Sequence, residues 1–256
     1  MKVLVLTKPS FDTTLLRVDP KRNEIITKGV PYHINDHDKY ALEISSLIKQ
    51  KNPNVQIIAI GIGERESKDS MREAIVRGAD EVYFIEKIPS IKYEPYIYAN
   101  ILAEAVRQLN PNLILCGTLS EDYISSSTHI FLSEILNWPI VTNVINIVNL
   151  TDSYIIVDRK RENIIETYEI KLPCIIGVTS GIVTLKTITP IQIMRISRDK
   201  VKTLNLVNLT FENTIEVQAL IPIQAKQRKR VFIDGEKNMD EAVKTLIDNL
   251  IKEGLL

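Results

Sequence analysis

The sequence has no surplus of charge. Lysine plus arginine number 32 and aspartate plus glutamate number 32, so the 256-residue chain carries a formal net charge of zero at neutral pH. A nucleic-acid footprint needs a basic face, and the single basic block is Lys226-Gln-Arg-Lys-Arg230. It reads as a solvated linker, with nucleic-acid or partner contact as the alternative. Cysteine is almost absent. Cys116 and Cys174 are far apart, and the three histidines are not at metal-ligand spacing from them. A disulfide framework and a zinc site are therefore disfavoured, and both thiols, set in apolar runs, read as buried. No apolar run is long enough to span a bilayer, and neither terminus resembles a signal peptide. The expectation is a soluble, cytoplasmic protein that binds no nucleic acid and does not insert stably into membranes. No paired histidine, cysteine or carboxylate constellation points to acid–base or nucleophilic catalysis.

The chain does contain short, continuous, branched apolar runs: Val3–Leu6, Val55–Ile60, Val82–Ile85 and Leu113–Cys116. That pattern fits strands buried on both faces of a parallel sheet. Helical spacing alternates with them. Asp36 precedes Tyr40–Ile48, and Asp69 precedes Met71–Val76, with Gly78 as a C-cap. Pro95 opens a helix to about Leu109, and Asp122 or Ser125 opens a fourth. Strand–helix alternation implies right-handed βαβ units. After residue 140 the character changes. Ile140–Ile147, Ser153–Asp158, Ile164–Leu172 and Ile175–Thr179 read as strands without long helices between them, with turns at residues 151–153 and 161–163, which suggests an antiparallel extension of the sheet. Pro190–Arg195 reads as a short helix or a protruding loop. Residues from about Asn205 to Arg230 show no period, and Met239–Leu250 is a final amphipathic helix. The domain expectation is a nucleotide-binding α/β domain over residues 1–205 and a C-terminal arm and helix over 206–256, packing on a partner.

The most informative stretch is the junction Asn112-Leu-Ile-Leu-Cys-Gly-Thr-Leu-Ser-Glu-Asp-Tyr-Ile-Ser-Ser-Ser-Thr128. An apolar run ends at Gly117, a polar loop follows, and an amphipathic run begins at Ile130. Ligands of open α/β sheets sit beyond the carboxyl ends of strands, and a helix start there offers free N–H groups to a phosphate. Plain helix capping is the competing reading of the same residues.

Seven segments resemble, in order, the β subunit of the electron-transfer flavoprotein family. Lys8-Pro-Ser-Phe-Asp-Thr-Thr14 is similar to K-x-V-P-D-T, and Ile34-Asn-Asp-His-Asp-Lys-Tyr-Ala-Leu-Glu43 to I-N-P-x-D-x-x-A-L-E. Met71–Asp80 is similar to L-R-x-A-L-A-M-G-A-D, and Leu113–Gly117 to L-I-L-C-G. Asn137-Trp-Pro139 with Val141-Thr142 resembles the W-P-x-x-T turn. Val157-Asp-Arg159 and Lys171-Leu-Pro173 sit at the spacing of V-E-R and K-L-P.

The resemblance implies a doubly wound, mostly parallel α/β fold of the adenine-nucleotide α-hydrolase-like or Rossmann-like kind, with an antiparallel extension and a partner-clasping arm. It implies AMP or FAD in this chain and a heterodimer with an FAD-carrying α subunit. That heterodimer would move electrons from dehydrogenases to a quinone reductase or another acceptor. Carried over by position, Leu6 and Ile62 contact the adenosine. Lys8 and Asn35, Asp36, His37 and Asp38 face the nucleotide. Gly117, Thr118, Asp122, Ser125, Ser126, Ser127 and Thr128 wrap the ribose and phosphate. Arg159 approaches the flavin across the subunit interface, where a cation favours the anionic reduced forms. Thr187–Arg195 corresponds to the loop that docks on dehydrogenases.

Departures from the pattern are specific. The family's nucleotide loop reads D-x-D-x-x-Q-[VT]-G. Asp122 and Thr128 match it, whereas Ile124, Ser127 and His129 stand where the second acid, the glutamine and the glycine belong. His129 reads as a helix-surface residue, with a phosphate ligand as the alternative, and Trp138 as a packing anchor. The competing function is an adenine-nucleotide-binding regulatory module of the universal-stress-protein type. The segment after residue 140, the C-terminal arm, the W-P turn and the absence of a long G-x-x-G…G-S/T loop count against it.

Overall fold

The computed structural model describes residues 1–19, 21–22, 24–87, 95–206, 230–236 and 238–256. It divides into two units, taken here in turn. In the first, the strands are β1 (Lys2–Thr7), β2 (Pro9–Phe11), β3 (Arg17–Asp19), β4 (Glu24–Ile26), β5 (Tyr32–Ile34), β6 (Gln56–Gly63), β7 (Glu81–Glu86), β8 (Leu113–Gly117), β9 (Ile140–Leu150), β10 (Tyr154–Arg161), β11 (Ile164–Lys171), β12 (Cys174–Val178) and β13 (Val201–Thr203). The helices are α1 (Asp36–Lys51), α2 (Arg72–Val76), α3 (Pro95–Leu109), α4 (Thr128–Leu136) and α5 (Pro190–Met194). The short ribbons β2–β5 and β3–β4 stand apart from one nine-stranded sheet ordered β11-β10-β9-β12-β8-β1-β6-β7-β13.

The apolar runs form the sheet for the reason their composition suggests. Successive side chains of a strand point to opposite faces, so a run apolar at every position needs cover on both sides. Val3, Val5, Ile57, Ala59, Leu113, Leu115 and Ile176 enter one core with Ala41, Leu42 and Ala74 from α1 and α2. Leu4, Leu6, Ile58, Ile60, Ile114, Cys116 and Ile175 enter the other with Ile97, Ile101, Leu102 and Leu132 from α3 and α4. From β1 the chain adds β6 and β7 on one side, then crosses to place β8 on the other, pairing Val3 with Leu113 and Val5 with Leu115 in parallel. The strand order therefore reverses between β1 and β8. This is the doubly wound α/β architecture, with its switch point at that seam.

The extension departs from expectation in one respect. β10 is antiparallel to β9 and β11, but β12 runs parallel to both β8 and β9. The burial explains it. All five residues of β12 are buried, a requirement met only by an interior slot, whereas β11 is exposed at nearly every position and stays at the edge. The meander β9–β11 therefore projects, and the chain returns inward. The fourth helix also starts later than expected, at Thr128. Ile124 and Ser126 hold positive φ of 52° and 49°, so the loop persists to Ser127.

Gly78 ends α2 as expected, with φ of 111° and Ala79 N–H donating to Ala74 O. Just before it, Arg77 is buried between two carboxylates. Its guanidinium lies 2.7 Å from Glu73 on α2 and 3.4 Å from Glu43 on α1, and Lys186 reaches Glu43 at 3.0 Å.

The second unit holds α6 (Met239–Lys252). Asn238 caps it by accepting from Glu241 N–H, and Met239, Val243, Leu246, Ile247 and Ile251 are exposed. Phe211, Leu220 and Ile221, on which the clasping-arm expectation rests, lie outside the described residues, as do residues 226–229 of the basic block.

Arg77→Ala leaves Glu43 and Glu73 buried without their shared cation. Losing one partner of a buried pair costs about 3–5 kcal/mol, so the urea midpoint should drop sharply with an unchanged m-value. A loss below 1 kcal/mol would show that the cluster is solvated.

Candidate functional site

The carboxyl ends of β1 and β8 are joined by one side chain. Asp38, in the first turn of α1, is buried, and its two oxygens accept from Lys8 N–H and Gly117 N–H, each at 2.9 Å. Burial lifts its carboxyl to about 6, against the pull of these donors and of the Asn35 amide. Gly117 is required for the approach. A Cβ there would lie 2.6 Å from Asp38 Oδ1 and 2.7 Å from the backbone and Cβ of His37. Asn35 holds the next part of the loop: its Nδ2 donates to Leu119 O at 2.9 Å, and its Oδ1 accepts from Glu121 N–H at 3.1 Å.

Above this seam opens a cavity of about 710 Å³. Its floor is apolar (Leu6, Ile60, Ile62, Leu102, Cys116), and one wall is the loop from Gly117 to Thr128 with the start of α4. Ser127 makes no side-chain capping bond, so the free N–H groups of α4 are not spent on it. Lys8 projects from the end of β1. Its Nζ lies 2.6 Å from Asp122 Oδ1 and 4.0 Å from the centre of the Tyr123 ring. Burial lowers the Lys8 ammonium's affinity for its proton, and Asp122 restores part of it. A second polar group, Glu64–Lys87 at 3.2 Å with Tyr98, lies on another part of the lining. Such a cavity, mostly apolar with a few convergent polar groups, has the size and character of a small-molecule site, which spans roughly 300–1,000 Å³.

The structure brings Leu6, Lys8, Asn35, Asp38, Ile62, Gly117, Thr118, Asp122 and Ser125 to Thr128 into this one lining. Asp36, His37 and Arg159 are not in it. Asp36 faces outward to Lys39. His37 packs against Gly117 with a buried Nδ1 that has no partner. Arg159 sits in β10, opposite Glu166 of β11, and its Nε is buried without a partner. His129 corrects the sequence reading. It is 6% exposed and lines the cavity, because α4 begins at Thr128 and its second residue faces the sheet. The Glu64–Lys87–Tyr98 group had no sequence signal, since its members come from three separate elements.

The description "electron transfer flavoprotein domain" belongs to the family model that matches residues 23–208. The chain is 30% identical over 177 residues to the caffeyl-CoA reductase–Etf complex subunit CarD of Acetobacterium woodii, covering 69% of this chain and 67% of that one. It is 33% identical over 178 residues to the electron transfer flavoprotein subunit beta of Dictyostelium discoideum, covering 69% and 70%. Against the probable electron transfer flavoprotein subunit beta of Saccharomyces cerevisiae, it is 26% identical over 251 residues, covering 96% and 95%.

Asp38 sets a pH dependence. Its folded carboxyl, near 6, lies above the ordinary 3.8. Between those values the folded chain binds more protons than the unfolded one, so this contribution is complete below pH 3.8 and is lost as pH rises through 6. The size is roughly 3 kcal/mol. Urea midpoints of wild type and Asp38→Asn, compared at pH 4 and 7.5, should show wild type losing about that much relative to the variant. Parallel profiles would refute it.

Proposed function

The chain belongs to the electron-transfer flavoprotein family, among its β subunits, and from that premise we propose that the cavity at the β1–β8 seam holds an adenine nucleotide, AMP or the adenosine end of FAD. The chain then pairs with an FAD-carrying α subunit, and the heterodimer passes electrons from dehydrogenases to a quinone reductase or another acceptor. The observation that carries the nucleotide reading is the position of the cavity. It opens beyond the strand ends at the switch point, with a hydroxyl-rich loop and a helix start on one wall.

The residues fit such a ligand. Leu6, Ile60 and Ile62 give an apolar floor for a flat base. Ser125, Ser126, Ser127 and Thr128 bring hydroxyls to the start of α4, where the helix dipole favours a phosphate. Lys8 is the nearest cation, exchanging Asp122 for the ligand's anion. Asn35 and Asp38 act as positioning residues: their polar atoms are spent on the loop and the strand ends. When bound in the partner, the flavin supplies the electron exchange, and this chain supplies no catalytic group of its own. Its contribution is to bind, to orient and to dock. Arg159 is proposed to lend positive charge to the partner's flavin. The Thr187–Arg195 segment is proposed to meet dehydrogenases; there α5 carries a capping box from Thr189 and leaves Ile191 and Met194 exposed. The arm over 206–256 is proposed to pack on the α subunit, and the heterodimer to work in the cytoplasm.

Mass spectrometry of material released from the natively purified heterodimer should find one adenine nucleotide per β chain. Changing Ser126 and Ser127 together to leucine should cut retention at least tenfold and lower thermal stability, since a ligand stabilises the state it binds. A wild-type complex that is nucleotide-free and no less stable would overturn the reading.

Arg159→Ala in the heterodimer should lower the flavin reduction potential by on the order of 60 mV, a tenfold change in a one-electron equilibrium, with nucleotide content intact. Arg159→Lys should restore part of it, because lysine lacks the planar, multi-donor guanidinium. Identical potentials for wild type and Arg159→Ala in a spectroelectrochemical titration would remove Arg159 from the redox site.

A further inference from the structure

His129 is the residue of the cavity that the nucleotide reading leaves without a task. It is the second residue of α4, and the start of that helix lines the cavity. It is 6% exposed, and among the described residues its ring makes no hydrogen bond. Its ring lies against β12, where a Cβ on Gly177 would be in ordinary contact with His129 Cδ2 at 3.6 Å. Among the described residues its ring nitrogens are not among the enclosed atoms that lack a partner, so they open onto the cavity, where a ligand can reach them.

We propose that His129 is a phosphate ligand of the nucleotide site, neutral when the cavity holds no anion and protonated from solvent as the phosphate group binds. The inference rests on the nucleotide reading and adds a specificity residue to it. With no anion present, burial alone holds the imidazole down at about 4. The helix dipole adds to the cost of a cation at that end. A phosphate in the same cradle reverses both terms by placing a negative charge against the ring. The neutral ring also presents an acceptor nitrogen, which a phosphate without a proton cannot satisfy, so binding the anion and gaining the proton favour each other.

The surrounding ionisable groups do not supply that charge. Tyr98 comes from α3, Cys116 from β8, Cys174 from β12, Lys8 from β1 and Asp38 from α1. Asp122 and Tyr123 lie in the loop, and Glu134 is on α4 itself. None contributes to the depression of His129. Lys8 and Asp122 neutralise each other. Asp38 is committed to two backbone N–H groups, although it titrates in the same range. The consequence is a nucleotide affinity that rises as pH falls, through a group separable from Asp38.

The chain has three histidines, so each imidazole can be followed individually. The experiment uses the full chain labelled with ¹⁵N-histidine and freed of nucleotide. It is titrated between pH 4 and 8 alone, with saturating AMP, and with adenosine; His129→Gln assigns its resonance. AMP should raise the His129 midpoint by roughly two pH units, while adenosine should not and His33 and His37 should stay in place. His129→Gln should weaken AMP about tenfold at pH 5 and much less at pH 8, with its fold checked by urea midpoint. AMP that binds, seen in its own ³¹P signal, while His129 stays neutral at pH 5 overturns this inference and leaves the nucleotide reading standing. AMP that does not bind at all overturns both. An adenosine response equal to that of AMP overturns the phosphate assignment.

Discussion

The site depends on one carboxylate accepting two backbone N–H groups. Asp38 takes the donor of Lys8 just past the end of β1 and the donor of Gly117 at the end of β8. At a switch point these two strands part, and their terminal N–H groups would otherwise face a gap. One side chain from the start of α1 closes that gap and fixes how far the strand ends can separate. The cavity above inherits its width from this distance. The same clamp explains Gly117, since any Cβ would enter the space of Asp38 and His37. It also explains Asn35, which continues the bonding into the loop three residues ahead of Asp38 and keeps Leu119 and Glu121 in place.

The cavity combines low net charge with cations that are already matched. Lys8 is balanced by Asp122, and Lys87 by Glu64. A free cation in a half-buried site would be expensive, and a fixed excess of them would hold any anion indiscriminately. Pairing lowers the first cost, and selectivity then comes from geometry: an apolar floor, a row of hydroxyls and a helix start. On the proposed reading, Lys8 is released to an anion when the ligand's phosphate displaces Asp122. The left-handed backbone at Ile124 and Ser126 is part of that arrangement. A β-branched residue at positive φ is strained, and it persists where the surrounding structure imposes it.

Where one residue type answers one local demand, the sequence was legible. Continuous branched runs had to be two-sided strands, and the glycine at 78 had to take the left-handed turn; Gly117 reads as a turn glycine, and its close approach to Asp38 and His37 emerges only in the fold. Strand–helix alternation implied right-handed βαβ units, but the strand order and the seam between β1 and β8 emerge only from the fold. What could not be read depended on long-range placement. Nothing near residues 174–178 says that this strand passes inside β9 to lie beside β8; that outcome follows from its complete burial against the exposure of β11. His129 looked like a surface residue because helix periodicity was counted from a start several residues too early. Residues such as Asn35 and Asp38 matched a nucleotide-binding pattern by position, yet their polar atoms hold the backbone that makes the cavity. Position alone does not separate a residue that touches a ligand from one that shapes its site.

The distribution of exposed apolar side chains bears on how such a chain works. On the meander, Val148, Ile164, Ile165 and Tyr168 are exposed, on both faces of the hairpin. Ile191 and Met194 are exposed at α5, and α6 carries its own apolar stripe. A long edge strand invites pairing unless charges blunt it. Glu166, Glu169 and Lys171 on β11 supply those charges, while the isoleucines beside them remain uncovered. Arg159 lies in the neighbouring strand with one buried nitrogen lacking a partner, a cost that a second subunit could remove by supplying an acceptor. Both cores are filled, and exposed apolar side chains remain on the elements after residue 140 and also on the ribbon β3–β4 (Val18, Ile25, Ile26) and on α4 (Ile130, Phe131). On the proposed reading, the nucleotide sits at the ends of the parallel strands while the exposed apolar side chains of β9–β11, α5 and α6 are left for partners, the division of labour an electron-transfer subunit requires.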